Sequence, residues 1–232
     1  MKRIGLVGGL TPESTVEYYR AIVELNRKQA TSPLSNPEIV IYSVNLAEIV
    51  RAQAEGREEQ LVEILLTALE GLRLAGAEIG ALTANTPHLY FDRLVARTSL
   101  PLVSILDAAY EKAVSLGCRR VLLLGTARTM DSPMYPKRFA AGSIEVVVPD
   151  EREREFVDRT IYGELAIGLT KPETRRAFVE ICERHVKHDK VDGVVLGCTE
   201  IPLLLKEGDV SVPLVDTTRV HAEAVFTAAS TL

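Results

Sequence analysis

Three stretches of this 232-residue sequence occur twice, in the same order and at nearly the same separation. "IGLVGGLTPESTVEYY" answers to "VLLLGTARTMDSPMY", which pairs Gly8 with Gly125 and Tyr18 with Tyr135, each pair 117 positions apart. "ALTANTP" answers to "LGCTEIP", pairing Thr83 with Cys198 and Pro87 with Pro202 at 115 positions. "LPLVSILDAAYEKAV" answers to "VPLVDTTRVHAEAV", with Pro101 and Pro213 at 112. An internal recurrence of this kind predicts one architecture built twice. Any α/β chain supplies apolar runs followed by small residues, so the shared order of the three matches carries the argument.

The repeated pieces are strands followed by helices. "RIGLVG", "EIVIYSV", "EIGALT", "PLVSI", "RRVLLLG", "SIEVVV", "GVVLG" and "VPLVD" read as about eight strands, most of them continuously apolar, as in parallel sheets covered on both faces. Ser14 to Gln29, Glu59 to Leu74 and Pro172 to Lys187 carry apolar residues at helical spacing. The predicted fold class is α/β, with two pseudo-symmetric, doubly wound lobes. Each lobe is expected to hold a mostly parallel, four-stranded sheet flanked by helices. The first lobe is placed at residues 1–100 plus 212–232 and the second at 101–211. Ligand sites in open α/β sheets lie at the carboxyl ends of strands, so the active site is expected between the lobes, with Thr83 and Cys198 on opposite sides of one ligand.

Composition narrows the function. With 47% hydrophobic residues the chain has the means to bury a large core. A net charge of -5 with both signs scattered gives no basic stripe for nucleic acid and no polybasic segment for a membrane surface. The expected partner is therefore a small molecule. The run Ile4 to Val7 is too short for a signal peptide, and no stretch approaches a membrane-spanning helix. Cys118, Cys182 and Cys198 are odd in number and widely spaced, without CxxC or paired histidines, which argues against a disulfide framework or a metal site. A cytoplasmic location is expected.

Local chemistry leaves several readings open. "GLVGGLTPEST" is neither GxGxxG nor a P-loop. Pro12, Glu13 and Ser14 explain it as helix initiation, while its exposed N–H groups also suit a small anion such as a carboxylate. "LTANTPH" and "LGCTEIP" each end a strand with Thr or Asn donors and free N–H groups, fit for a carboxylate or for ordinary helix capping. His88 reads as a surface or capping histidine. Cys182, beside Phe178, Val179 and Ile181, reads as core. Cys198 stands ahead of helix N–H groups that would lower a thiol pKa from about 8.5 toward neutrality. Position alone leaves it between packing and chemistry.

Taken together, "IGLVGGLTPESTVEYY", "ANTPH", "GTARTM", "GCTEIPLLL" and "PLVDTTRVHAEA" resemble the aspartate/glutamate racemases, amino-acid racemases that work without pyridoxal phosphate. The resemblance runs to about residue 226 in order. It implies no cofactor, frequent homodimers and a two-base reaction, in which one thiol from each lobe faces the substrate Cα. One thiol removes the α-proton and the other returns a proton to the opposite face. With no imine to spread the carbanion charge, preorganised donors must hold the carboxylate. The resemblance makes Cys198 the second-lobe acid/base and puts Thr83 on the opposite face. Asn85, Thr86, Thr126 and Thr199 become donors, and Thr11 and Thr129 line the cleft. Leu10, Gln53, Ala84 and Glu200 complete the substrate-binding set. Glu200 and His221 stand in matching motifs, as groups to orient Cys198 or the substrate ammonium.

Two departures matter. Thr83 occupies the position that usually carries the first-lobe cysteine, and a hydroxyl is a far poorer base than a thiol. The two faces then cannot be equal; because the resemblance implies that the second-lobe thiol faces the hydrogen of the L form, the L enantiomer is the expected substrate, with Thr83 delivering a proton as an acid or through a held water. The Arg and Lys that members devoted to acidic substrates often carry are also missing: Arg51, Gln53 and Lys171 lie only near those places, and Ile167 stands about where the Lys would be. Aspartate or glutamate is the expected substrate, with a broader range open. Two alternatives remain: a one-thiol decarboxylase of the arylmalonate type, and a two-lobed amino-acid-binding protein without catalysis.

Overall fold

The computed structural model describes residues 1–32 and 34–231, which fold as two compact units. The first spans Met1–Ile105 and His221–Leu232, the second Leu106–Val220.

In the first unit the chain runs β1 (Ile4–Gly8), α1 (Pro12–Gln29), β2 (Ile39–Ser43), α2 (Leu46–Ala54), α3 (Glu58–Leu74), β3 (Ile79–Leu82), a 3-10 turn (Thr86–Tyr90) and α4 (Phe91–Val95). The three strands are parallel in the order β2-β1-β3. Successive β1 residues face opposite ways. Ile4 and Leu6 join Tyr18 and Ile22 of α1 in one apolar cluster, while Val7 joins Leu65, Leu69 and Leu72 of α3 in another. Both faces of the sheet are therefore covered, which explains the continuously apolar strands. The last helix, α11 (Thr217–Ser230), adds Ala222, Val225, Phe226 and Ala229 to the α1 side.

The second unit contains α5 (Ile105–Ser115), β4 (Arg120–Leu124), α6 (Ala127–Met130), α7 (Met134–Ala140), β5 (Glu145–Val147), α8 (Glu151–Gly163), a second 3-10 turn (Leu165–Ile167), α9 (Pro172–Asp189), β6 (Gly193–Leu196), α10 (Ile201–Leu204) and β7 (Leu214–Asp216). Its parallel sheet has the order β5-β4-β6-β7. Each sheet thus repeats one winding, with the unit's first strand between its second and third. Tyr18 and Tyr135, matched in the repeat, are both fully buried.

The first sheet has three strands rather than four. "PLVSI" contributes one parallel bridge, Gly80 to Leu102. Pro101 has no N–H to donate, and only Val103 and Ser104 separate Leu102 from the start of α5, so the segment pairs once and turns away. The second difference concerns residues 212–220, expected with the first lobe. β7 pairs with β6 through Val194–Leu214 and Val195–Val215, so this segment belongs to the second unit. Among the described residues no helix is long and apolar enough to cross a membrane.

Candidate active site

In the first unit, the carboxyl ends of β1 and β3 gather hydroxyls. Thr83 follows β3, and both its amide and its hydroxyl donate to the Val7 carbonyl, at 3.1 and 3.0 Å. The Ser14 hydroxyl donates to the Thr83 carbonyl. Thr15 Oγ1 accepts from Gly9 N at 2.9 Å and donates to Thr11 O at 2.9 Å. Thr11 is the N-cap of α1, accepting from Ser14 N at 3.3 Å, so the helix-initiation reading of "LTPEST" is correct in geometry. Gly9 has φ +75, and a Cβ there would strike the Val44 carbonyl; the turn that brings Thr11 and Ser14 under Thr83 needs glycine.

These contacts fix what Thr83 offers. It has no exposed surface, and its one hydroxyl proton goes to Val7 O. As a direct acid Thr83 would first have to give up that bond. Ala84 and Asn85 are buried beside it, and Thr86 opens the 3-10 turn. Leu10 lies in the apolar cluster with Leu82 and Ala84, and Gln53 is half-buried on α2.

In the second unit, β4 and β6 end in glycines that let the backbones close up. Gly197 N donates to Leu124 O at 2.6 Å, and a Cβ on Gly125 would sit 3.0 Å from Gly197 O. This closeness brings the turn of Thr126 beside that of Cys198. Thr126 caps α6, accepting from Thr129 N at 3.3 Å. Thr129 is fully buried with its methyl against Gly125 and Gly197, which makes it a support for both turns. Cys198, Thr199 and Glu200 are each less than a tenth exposed, and both the Cys198 thiol and the Thr199 hydroxyl donate to Glu200 Oε2, at 2.8 and 2.9 Å.

That arrangement reverses the expected effect on Cys198. Burial, then the charge of Glu200 and its hydrogen bond, hold the thiol well above its ordinary range; the backbone N–H groups of Glu200 and Thr199 pull the other way and are outweighed. The resting group is a thiol aimed at a carboxylate. Cys182, in contrast, is fully buried on α9 with its thiol pushed up to about 12 by burial, as a core residue should be.

Three neighbours escape a reading of the sequence. Asp158, on α8, accepts from Ala127 N at 2.6 Å and so braces the first turn of α6. The Tyr162 phenol is raised by burial and by the charges of Asp158, Cys198 and Glu200, with Arg128 opposing them. Asp158 and Tyr162 are about one helical turn apart, but nothing in the α8 sequence says which face meets α6.

With this geometry in hand, comparison with known proteins is decisive. A sequence model of the Asp/Glu/Hydantoin racemase family matches residues 7–225. The chain belongs to that family. Its fold is that of an aspartate racemase homologue from Pyrococcus horikoshii OT3, at 41% identity over 100% of both chains with a TM-score of 0.88. The aspartate racemase of Picrophilus torridus, 23% identical, shares the fold over 99% of this chain and 94% of that one, with a TM-score of 0.79. Among curated proteins, the broad specificity amino-acid racemase RacX of Bacillus subtilis is 20% identical over 227 residues, 95% of each chain. The relatives are racemases acting on amino acids, and this chain is accordingly an isomerase of the amino-acid racemase class.

In this racemase the two histidines of the motifs are structural in setting. His221 has both ring nitrogens engaged, Nε2–H donating to Val103 O at 2.9 Å and Nδ1 accepting from Tyr18 OH at 2.7 Å, so neither is left to orient Cys198. His88 is buried rather than on the surface; it caps α5 by accepting from Ile105 N at 3.1 Å. Burial depresses both, His88 to about 3 with help from the charge of His221, and His221 to about 4. The unfolded chain titrates near 6.5. The stabilising difference is therefore complete above that pH and is lost as pH falls toward 4 and 3, at about 1.4 kcal/mol per unit for each histidine. Thermal melts between pH 6.5 and 4.5 should show this loss, and His88→Asn should flatten the slope. An equal slope in the variant would contradict the assignment.

Proposed function

We propose that the protein racemises amino acids without a cofactor, by removing the α-proton at one face of Cα and returning a proton at the other. The reading rests above all on the Cys198 thiol held 2.8 Å from the Glu200 carboxylate at the carboxyl end of β6. A buried thiol is a poor base until it loses its proton, and Glu200 is placed to take it. The resulting thiolate takes the α-proton of the L enantiomer. The carbanion charge flows into the substrate carboxylate, and the reading requires that the Asn85, Thr86, Thr126 and Thr199 turns supply its donors. The reading requires that Thr83 address the opposite face of the same Cα. Because its hydroxyl proton is given to Val7 O, the proton returned on that side comes through a water that Thr83 holds. Direction then matters: L to D runs on a thiolate, D to L on a far weaker base.

Substrate range follows from the charges near the second cluster. Lys171 donates to Glu164 at 2.8 Å, and Ile167 is 65% exposed on the 3-10 turn that packs against α10. A committed lysine and an exposed isoleucine do not demand a second carboxylate. We therefore include neutral amino acids beside aspartate and glutamate, as the name of the Bacillus relative suggests for that protein. A homodimer and a cytoplasmic location belong to the same proposal.

The test is incubation of the purified protein with L- and D-aspartate, glutamate and several neutral amino acids, followed by chiral derivatisation. Inversion of neutral as well as acidic substrates is expected. Strict confinement to aspartate would refute the broad range, and binding without inversion would leave only a binding protein. A second reading, decarboxylation of an arylmalonate, draws on the same protonated thiol, which suits proton delivery to a carbanion formed by loss of CO₂. Release of CO₂ without racemisation would favour it.

A further inference from the structure

His88 lies outside the proton-transfer chemistry, yet it touches the turn on which that chemistry depends. Its Nδ1 is 2.9 Å from Ala84 O, its backbone N–H donates to Asn85 O at 2.9 Å, and its Nε2 accepts from Ile105 N at 3.1 Å. An acceptor at Nε2 makes Nδ1 the protonated nitrogen, so the ring donates to the Ala84 carbonyl. The imidazole is 3% exposed, stacked on Phe91 at 5.1 Å and 11°, with the His221 ring edge-on at 5.7 Å. Both packing neighbours therefore restrict its rotation.

We propose that His88 is a positioning residue for the racemase reaction, its Nδ1–H and backbone N–H holding the carbonyls of Ala84 and Asn85 so that the Thr83–Thr86 turn keeps its donors aimed at the substrate carboxylate. This rests on the reading that the turn receives that carboxylate. The ring does two separable jobs. Nδ1 fixes the turn, whereas Nε2 fixes the start of α5. A residue of merely structural value would show the two as one, because either loss would act through stability alone.

Two substitutions divide the jobs. His88→Asn keeps an N–H donor near the Nδ1 position and loses the acceptor for Ile105; His88→Gln reaches the Nε2 position and loses the donor to Ala84. In His88→Gln, kcat for L-amino-acid racemisation should fall about tenfold or more while KM changes less, since the donors matter most as charge develops. In His88→Asn, kcat should stay within about threefold of the parent while the melting temperature drops by more than in His88→Gln. Losses of kcat that follow melting temperature across both variants, or a fully active His88→Gln, would overturn the proposal. Asn85→Ala supplies the separate control: unchanged kcat and KM there would refute the turn's role as carboxylate holder, and the proposal with it, whereas a damaged Asn85→Ala beside an active His88→Gln refutes the positioning role alone.

Discussion

Cys198→Ser should lower kcat/KM for the L substrate by about 10³-fold or more while leaving the fold intact. The change replaces sulfur by oxygen at a position less than a tenth exposed, so packing is nearly conserved and the hydrogen bond to Glu200 Oε2 can be kept. What changes is acidity: a hydroxyl holds its proton far more tightly than a thiol, and Glu200 cannot remove it. General acid–base groups contribute about 10²–10⁴-fold, and among the described residues Cys198 is the only thiol in its cluster. Steady-state kinetics with matched melting curves check this. A serine variant within tenfold of the parent would remove Cys198 from the reaction.

Glu200→Gln should cost kcat about 10²-fold and at the same time make the thiol easier to alkylate. The opposite signs follow from one geometry. The Glu200 carboxylate raises the thiol by its charge and by accepting its proton in a hydrogen bond, so a neutral amide lets the thiolate form at lower pH. Iodoacetamide labelling of Cys198 against pH should show the parent slow at neutrality and the variant faster. The catalytic loss arises because the thiolate that forms more readily is a weaker base toward the α-C–H, and the amide cannot hold the thiol proton while the thiolate acts. Labelling that slows in the variant would contradict the assignment of Glu200 as the group that raises the thiol.

Much of the fold was legible in the sequence, for a definite reason. Parallel strands covered on both faces must be continuously apolar, and "IGLVG", "EIGAL", "VLLLG" and "GVVLG" announce themselves that way. The internal repeat further matches Gly8 with Gly125 and Tyr18 with Tyr135, and both sheets repeat one strand order. "PLVSI" failed because pairing length depends on where the chain turns, and Ile105 already opens α5. The placement of residues 212–220 failed because β7 chooses β6, a partner earlier in the chain.

At the candidate site the positions were legible but the electrostatics were not. Strand ends mark Thr83 and Cys198 from the repeat alone. Helix N–H groups ahead of Cys198 suggest a lowered thiol pKa; burial and the Glu200 side chain turned back across two residues reverse it, and neither is visible in the spacing. His88 shows the same limit. A histidine after "ANTP" looks like a cap in the sequence, and it is one, but its second contact at Ala84 O emerges only when the turn folds over it.

The central claim is that one thiol serves one face of the substrate while Thr83 makes a poorer second face. Racemisation in D₂O tests it most directly, with the α-proton followed by NMR and chirality by derivatisation, starting separately from each enantiomer at saturation. The predicted result is loss of the α-proton with inversion from the L enantiomer, and a much smaller kcat from the D enantiomer. Equal kcat values from the two would contradict the account.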